Sequence, residues 1–308
     1  MNNTAICVQL NRCCKFHRYL IIEGICSLNS KEIRSIEVAN ADIIHSNTIW
    51  TAEDPERNES RFEIHALRSS DKALNNRAYI TLEINAKTSK KILIKKLLKE
   101  IHDSASSEQL SQQFKSLLRE RKINKVLDIG GRNRSNLDRS KEYPGQDITV
   151  LDIYQGDNVD IIGDAHELNE IFPAKSFEAV FSVAVFEHLA MPWKVELGIN
   201  HWLQENGIAY IVTHQSIGMH DMLWDFWRYS DHSWHSLFNQ RTGFQVIKTA
   251  LSESVHITPF HYLNAMSDSE HAAGFLISAV LVEKTHSIHN LAWPIKISEF
   301  VDSQHPIA

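Results

Sequence analysis

The sequence lacks the features that would place the protein in a membrane or outside the cell. It contains no uninterrupted run of about 18 apolar residues, so we expect no transmembrane helix. The first residues, MNNTAICVQLNRCCKFHRYL, do not combine a basic start with an apolar core as secretory signals do. We therefore expect a cytoplasmic protein.

Cysteine and positive charge are also scarce. All four cysteines lie within the first 26 residues of a 308-residue chain, which is not the distribution of a disulfide framework. We interpret them as reduced thiols, since a CCxxH stretch with no second half does not form a zinc site. The formal net charge of −6 argues against a nucleic-acid partner, because such partners are bound mainly through an excess of Lys and Arg.

The composition is that of a globular protein with room for two domains. Hydrophobic residues make up 43% of the chain and charged residues 23%. Residues 17–98 alternate apolar and polar positions with period two, most clearly at 19–24, 32–38, 61–67 and 78–84. This pattern predicts a small, sandwich-like antiparallel β domain over residues 1–98 with an accessory or binding role.

The periodicity changes after this domain. Residues 99–122 place Leu110, Phe114, Leu117 and Leu118 at helical spacing and predict a linking helix. From residue 123 to 285, strand and helix patterns alternate, which predicts an α/β domain with a mostly parallel sheet. Strands are expected near 126–129, 148–153, 177–186, 208–213, 244–251 and 275–282, with a helix from 192 to 203 that Gly207 can end. Residues 286–308 form a C-terminal tail.

Two acids follow buried strands of the second domain. The stretch NKVLDIGGR ends the first strand with Asp128, Gly130 and Gly131, and Asp152 ends the next one 24 residues later. Ligands of open α/β sheets bind beyond the carboxyl ends of the strands, and a carboxylate at this separation can accept from both ribose hydroxyls. The turn fails the GxGxxG pattern, which disfavours a nicotinamide cofactor.

Over roughly residues 110–285 the chain resembles the class I S-adenosylmethionine-dependent methyltransferases. The resemblance rests on ordered blocks: VLDIGGR, LDI at 151–153, GDAHEL at 163–168, FEAVFSVAVFEHL at 177–189 and LQENGIAYIVT at 203–213. It implies a Rossmann-like seven-stranded sheet and S-adenosylmethionine as cofactor. The cofactor-binding residues that it implies are Asp128, Gly130 and Gly131 at the amino-acid part, Asp152 with Ile153 at the ribose, Asp164 with Ala165 at the adenine, and in addition Ser182 and Glu187.

The chain departs from the family pattern in the glycine turn. Arg132 and Arg134 stand where the second and third glycines of DxGxGxG fall, which affects the turn and the affinity for the cofactor. Structural roles remain open for the acids: Asp128 could cap the amides of the turn, and Asp152 could be a solvated strand end. Glu187 and His188 could orient the neighbourhood of the cofactor or, equally, begin a helix.

Residues 213–230, THQSIGMHDMLWDFWRYS, should select the acceptor, because they follow the fifth strand at the ligand edge. An alcohol acceptor needs a general base, so we expect His214 or His220 in that role, with Asp221 or Asp225 as orienting partners or alternative bases. Core packing of the aromatic residues and a structural Arg228–Asp225 pair are the alternatives. A metal held by His214, His220 and a carboxylate is conceivable, but nothing fixes its geometry and no metal ligand is assigned. The substrate-binding candidates are Gln215, Trp224, Trp227 and Arg228.

The same loop is similar to a bacterial, type 11-like branch of these methyltransferases that is associated with surface-glycan assembly. The leading hypothesis is therefore methyl transfer from S-adenosylmethionine to a small-molecule acceptor, at an oxygen of a saccharide or glycan precursor. The rival hypotheses are a non-catalytic binding subunit with the same fold, which Arg132 and Arg134 motivate, and a nucleic-acid methyltransferase, which the net charge disfavours. The sequence leaves the oligomeric state undetermined.

Overall fold

The computed structural model describes residues 7–16, 18–28, 30–54, 56–57, 59–85, 88–103, 105–133, 139–255, 257 and 274–300. The chain divides into two compact units, residues 1–104 and 105–308. Each unit has its own hydrophobic core, as expected for a chain of this length.

The first unit consists of two antiparallel sheets and a helix. Its strands are β1 (Val8–Phe16), β2 (Tyr19–Cys26), β3 (Ser35–Ala39), β4 (Ile43–Asp54), β5 (Glu59–Arg68), β6 (Tyr79–Asn85) and β7 (Thr88–Leu93). One sheet has the order β1-β2-β5-β4 and the other β3-β6-β7. Alternate residues of β5, such as Phe62, Ile64 and Ala66, are buried, and both sheets contribute to a single core. The predicted antiparallel β structure is confirmed.

Two helices occupy the stretch where the sequence predicts one linking helix at 99–122. Helix α1 (Ile94–Asp103) belongs to the first unit, and helix α2 (Ser106–Glu120) begins the second. The apolar periodicity that predicted a helix is that of α2, whose Leu110, Phe114 and Leu118 are buried. Helix α1 starts five residues before the predicted element because Ile94 and Leu97 pack into the first core.

The second unit contains a mixed seven-stranded sheet. Its strands are β8 (Lys125–Ile129), β9 (Asp147–Asp152), β10 (Ile161–Ile162), β11 (Phe177–Val183), β12 (Leu203–His214), β13 (Phe244–Val255) and β14 (Gly274–Lys284). The order is β10-β9-β8-β11-β12-β14-β13; the first five strands are parallel and β14 is antiparallel to both its neighbours. The predicted Rossmann-like seven-stranded methyltransferase sheet is confirmed.

Helices cover both faces of this sheet, and its central strands β8 and β11 are almost entirely buried, as expected for parallel strands of an α/β fold. On one face, Phe114 of α2 stacks on Tyr210 of β12 with 5.3 Å between ring centroids. On the other, α3 (Pro192–Trp202) and α4 (Asp231–Leu237) pack against Val180 and Ile211. The short helix α5 (Ile297–Phe300) follows the irregular segment 285–296, and no helix of the described residues is long and apolar enough to cross a membrane.

Two boundaries in the second unit differ from the sequence prediction. Helix α3 ends at Trp202, before Gly207, because Leu203 adopts an extended conformation and starts β12. Gly207 therefore lies inside the strand, next to a shift in the β11–β12 register. Strand β11 ends at Val183, and Phe186–His188 forms a 3-10 turn that carries Glu187 and His188 away from the sheet.

Candidate functional site

The site lies where the strand order of the large sheet reverses. From β8 the chain adds β9 and β10 on one side and β11 and β12 on the other, so the carboxyl ends of β8 and β11 flank a crevice. Crevices of this kind bind ligands because the loops on their two sides diverge. A cavity of about 280 Å³ occupies the position. Its lining is formed by Ile129, Gly130, Arg132, Leu151, Asp152, Ile153, Tyr154, Gly163, Asp164, Ala165, His166, Val183, Ala184, Val185, His188, Leu189 and Trp224.

The glycine turn after β8 brings the backbone close to this cavity. Gly130 has φ +73°, a left-handed conformation that side chains disfavour. A Cβ atom on Gly130 would overlap Cγ2 of Val185, and one on Gly131 would overlap the carboxylate of Asp128. The Gly130 N–H donates to the carbonyl of Leu151 at 2.8 Å, which ties the turn to β9. Both glycines are therefore required by the local packing.

Asp152 ends β9 with its carboxylate facing the glycine turn. Its oxygens accept hydrogen bonds from the backbone N–H groups of Tyr154 at 3.0 Å and Arg132 at 3.3 Å. The Nε atom of Arg132 lies 3.5 Å from Oδ1, and the guanidinium lies 5.4 Å from the ring centroid of Tyr154. A carboxylate has about four acceptor positions, so these contacts leave room for ribose hydroxyls. Arg132 thus faces the predicted ribose-binding acid.

Asp164, which is partly buried, pairs with the buried His166 in the lining of the cavity. Oδ1 of Asp164 accepts from Nδ1 of His166 at 2.6 Å and from its backbone N–H at 2.8 Å. Nε2 of His166 accepts from the Met191 N–H at 3.2 Å, so the ring proton is on Nδ1. Burial acts to raise the pKa of Asp164, but the hydrogen bonds from His166 outweigh it and hold the pKa below its usual value.

The structure separates the candidate cofactor-binding residues into two groups. Gly130, Asp152, Ile153, Asp164 and Ala165 line the cavity. The lining does not include Asp128, Gly131, Ser182 or Glu187. Ser182 is fully buried and donates to the Ile129 carbonyl at 3.0 Å, and Asp128 is buried under the turn.

Glu187 instead belongs to a cluster of histidines beside the cavity. Its side chain is fully buried; Oε2 accepts a hydrogen bond from the Thr213 hydroxyl, and Oε1 lies 3.3 Å from Nε2 of His214. Nε2 of His188 lies 3.9 Å from Glu187 Oε1 and 3.8 Å from Oδ2 of Asp221. The ring of His220 lies at 4.9 Å from that of His188 and 5.8 Å from that of His214. Three histidines and two carboxylates therefore meet beside the cofactor cavity.

Asp225 forms an ion pair with Arg228. The guanidinium donates to both carboxylate oxygens, at 2.6 and 2.8 Å, and the carboxylate also accepts from the His220 N–H at 3.0 Å. The hydrogen bonds from Arg228 lower the pKa of Asp225 to about 2, against the opposing effect of burial. Such a weak base favours a positioning role for Asp225, which holds the loop that carries His220, over a role as general base.

The remaining substrate candidates differ in exposure. Trp224 is buried and lines the cavity, whereas Trp227 is 38% exposed and donates from Nε1 to the Leu189 carbonyl at 2.8 Å. Gln215 accepts from the Phe275 N–H at 2.8 Å through Oε1, so its side chain supports the backbone of β14. Of these residues, Trp224 contributes directly to the cavity.

Sequence reasoning did not assign a site role to His166, and it left His188 undecided between the cofactor's neighbourhood and a helix start. His188 lines the cavity and also joins the histidine cluster, and His166 orients Asp164. The signal for His166 was its place in GDAHEL, directly after two assigned residues. No sequence signal distinguished His188 from a histidine that only begins a helical turn.

The residues of the cavity fit an adenosine-type cofactor. Two carboxylates at strand ends supply acceptors for hydroxyl and amino groups, and Leu151, Ile153 and Leu189 supply apolar surface for a base. Gly130 contributes backbone atoms to the lining and leaves room for the side chain of Val185, which lines the same cavity.

The chain is similar to solved structures of methyltransferases, but no curated protein matches it. Among solved structures, a SAM-dependent methyltransferase from Archaeoglobus fulgidus is similar at 16% identity and a TM-score of 0.40, covering 61% of this chain and 99% of its own. A putative sarcosine dimethylglycine methyltransferase from Galdieria sulphuraria is similar at 14% identity and 0.41, covering 64% and 89%. The Burkholderia thailandensis 1,6-didemethyltoxoflavin-N1-methyltransferase, solved with bound S-adenosylhomocysteine, is similar at 12% identity and 0.42, covering 68% and 96%.

The family comparison covers the region that holds the site. A family model described as a methyltransferase domain matches residues 93–248, half of the chain. These residues include the glycine turn, the cavity lining and the histidine cluster. The chain therefore belongs to the methyltransferase domain family, which confirms the prediction of a class I S-adenosylmethionine-dependent methyltransferase with S-adenosylmethionine as its cofactor.

Proposed function

We propose that the protein transfers a methyl group to an oxygen of a small-molecule acceptor, and that the acceptor is a saccharide or glycan precursor. The observation that carries the proposal is the histidine cluster beside the cavity. His188 belongs both to the cavity lining and to the cluster, so groups able to handle a proton adjoin the cofactor position. Oxygen acceptors need such groups, because a neutral alcohol is a weak nucleophile.

Asp152 and Asp164 would hold the cofactor by its ribose and its base, and the turn at Gly130 would hold its amino-acid part. When bound, S-adenosylmethionine supplies an electrophilic methyl group and leaves as S-adenosylhomocysteine. Trp224 and Leu189 line the same cavity as His188 and add apolar surface to it. The chain itself then has to align the acceptor and remove its proton.

His214 is the proposed general base. Its Nε2 lies 3.3 Å from Glu187 Oε1, so the carboxylate stabilises the imidazolium that forms when His214 takes the proton of the acceptor hydroxyl. Nδ1 of His214 is buried and has no hydrogen-bond partner among the described residues. Asp225 and Arg228 fix the neighbouring loop, and His220 closes the cluster on the acceptor side.

A saccharide acceptor suits the surface next to the cluster. Phe226 and Trp227 are 37% and 38% exposed, and aromatic faces of this kind pack against the apolar faces of sugar rings. The similarity of the loop to a bacterial branch associated with glycan assembly supports the same class. We further propose that the N-terminal β unit binds the acceptor or a partner, and that no nucleic acid is bound. The bacterial source and the cytoplasmic location stay predictions.

The Arg132–Asp152 contact favours a second candidate function, a binding subunit without catalysis. Arg132 approaches Asp152 with its backbone N–H and its Nε, at 3.3 and 3.5 Å, and so competes with ribose hydroxyls for the carboxylate. In that case the fold would be retained while the cofactor binds weakly. Cofactor binding by the purified chain separates the two candidates.

The test is calorimetric titration of the whole chain with S-adenosylmethionine and S-adenosylhomocysteine. Hydrogen bonds to a charged group contribute about 1.5–3 kcal/mol, so Asp152→Ala should weaken binding at least about tenfold. Asp157→Ala is the control, because Asp157 is exposed and lies outside the cavity lining. Unchanged affinity of Asp152→Ala would contradict the site, and no binding to any form would favour the second candidate.

The same preparation tests the reaction. Release of S-adenosylhomocysteine is measured with a panel of sugar and glycan acceptors, and the methylated atom is located by mass spectrometry. His214→Ala should lower kcat by about 10²–10⁴ while cofactor affinity is kept, since general bases contribute that much. His235→Ala, a change at an exposed residue of α4, should have no effect.

A further inference from the structure

Glu187, His188 and His220 of the histidine cluster bring three possible metal-ligand atoms close together. One carboxylate oxygen of Glu187 and one ring nitrogen each of His188 and His220 lie within 4.8 Å of one another. Glu187 is fully buried and His188 is nearly so. Two imidazoles and a carboxylate are a common ligand set for divalent transition metals.

Hydrogen bonds turn the two imidazoles into suitable ligands. Nδ1 of His188 lies 2.6 Å from the Trp224 carbonyl, and Nδ1 of His220 lies 3.1 Å from the Gly218 carbonyl. A carbonyl only accepts, so each Nδ1 carries the ring proton and each Nε2 keeps its lone pair. Metal-binding histidines are oriented in this way, with the second nitrogen donating to a backbone carbonyl or carboxylate.

The oxygens around Nε2 of His188 are themselves acceptors. Oε1 of Glu187 lies at 3.9 Å and Oδ2 of Asp221 at 3.8 Å. Oε1 of Glu187 has no hydrogen-bond partner among the described residues, although its carboxylate is fully buried. A buried charge costs free energy unless a cation or hydrogen bonds compensate it, so a cation beside Oε1 would add to the compensation that the Thr213 hydroxyl and His214 give the Glu187 carboxylate.

The ligand atoms of Glu187, His188 and His220 all lie within 4.8 Å of one another, wider than in an occupied metal site. Zinc bonds of about 2.0–2.1 Å place neighbouring tetrahedral ligands about 3.3 Å apart. The Glu187–His188 separation of 3.9 Å would close by about 0.6 Å on binding, a change within the reach of a side-chain adjustment.

We propose that Glu187, His188 and His220 bind a divalent transition-metal cation of the Zn²⁺, Co²⁺ or Fe²⁺ class, with Asp221 beside it as a fourth ligand. Imidazole nitrogens favour these metals over Mg²⁺ and Ca²⁺, which take oxygen ligands. His214 lies outside the ligand set, so it remains the proton acceptor. Metal binding at this site does not depend on the proposed function.

The role of the cation does rest on the proposed function. A hydroxyl of the acceptor that coordinates the cation loses its proton more readily, because the positive charge stabilises the oxyanion. The proton of this hydroxyl passes to His214, while Glu187, His188 and His220 stay bound to the cation. An acceptor with two neighbouring hydroxyls could take two open coordination positions, which would select vicinal diols such as those of sugars.

The experiment uses the full chain, freed of metal by a chelator and titrated with Co²⁺. A visible d–d absorption band with one ion per chain is expected, because Co²⁺ bound by nitrogen and oxygen ligands in a non-octahedral site absorbs strongly. His188→Ala, His220→Ala and Glu187→Gln should each weaken Co²⁺ binding at least about tenfold. His235→Ala is the matched control, since it removes an exposed histidine outside the cluster.

Circular dichroism and urea unfolding of each variant show that its fold is intact, and cofactor titration of the wild type separates the two proposals. The metal site is overturned if the wild type does not bind Co²⁺, or if all variants bind it equally. In that case, methyl transfer by the chelated protein would still support the proposed function. One-to-one binding that the three variants lose supports the site even if no acceptor is methylated.

Discussion

Gly130 lines the cofactor cavity and has a left-handed backbone conformation. Its φ of +73° requires glycine, and a Cβ atom would also overlap Val185. Gly130→Ala should therefore cost about 1–2 kcal/mol for the left-handed backbone and about 1–3 kcal/mol more for the overlap. Urea unfolding measures the loss, and cofactor titration should show weaker binding because Val185 lines the same cavity.

The control for this change is Gly145→Ala. Gly145 has φ +92°, but a Cβ atom on it would meet nothing within 4 Å. Gly145→Ala should thus show only the backbone cost of about 1–2 kcal/mol and no loss of cofactor affinity. Equal effects of the two substitutions would contradict a steric role for Val185.

At the scale of a single element, helix α3 carries an acid in its buried face. Glu196 is 1% exposed, and burial raises its pKa to about 9, despite a lowering contribution from Thr242. The folded state therefore keeps a proton that the unfolded state releases above its pKa of about 4.3. It follows that the stability of the protein falls as pH rises from about 5 to 9.

Glu196→Gln should abolish this part of the pH dependence, because the amide stays neutral at every pH. The variant should become more stable than the wild type by roughly 1–3 kcal/mol at pH 7, with a gap that widens up to about pH 9. Glu205→Gln is the control, since a hydrogen bond from Ser287 lowers the pKa of the exposed Glu205. Urea unfolding from pH 5 to 9 measures the stability of each protein. If the stability of Glu196→Gln and of the wild type fell equally with pH, Glu196 would not be the source of the pH dependence.

At the scale of the whole molecule, residues 105–308 contain two hydrophobic cores and the complete cavity lining. A fragment of these residues should fold cooperatively and bind S-adenosylmethionine as tightly as the full chain. If the N-terminal unit binds the acceptor, the fragment should show a higher KM for the acceptor while its cofactor affinity is unchanged.

Circular dichroism, urea unfolding and calorimetry test the fragment. A longer fragment, 93–308, serves as the comparison, because the family match begins at residue 93 and this fragment restores α1. Loss of cofactor binding by both fragments would show that the site needs the first unit. An unchanged KM for the acceptor would argue against acceptor binding by that unit.

Local patterns were sufficient for the class of the fold and for part of the cavity lining. Strand and helix periodicity depends on which positions are buried, so the alternation after residue 123 predicted an α/β domain with a mostly parallel sheet, and the family resemblance implied its seven strands. Gly130 and Asp152 could be placed at the ligand edge because they lie at the ends of predicted strands, and parallel strands bring their carboxyl ends to one edge, whereas Asp164 followed from the resemblance. The linking helix and the end of α3 were less well predicted, because tertiary packing of Ile94 and Leu203 decides those boundaries.

The partners of each side chain were decided by the tertiary structure. Glu187 and His188 follow β11, whereas His214 and His220 follow β12, and only the pairing of these strands and the path of the loop bring the four together. Glu187 was predicted at the cofactor, but its carboxylate turns toward Thr213 and His214. Sequence spacing determines which residues reach the ligand edge; the directions of their side chains depend on register and packing across strands, which a linear pattern does not contain.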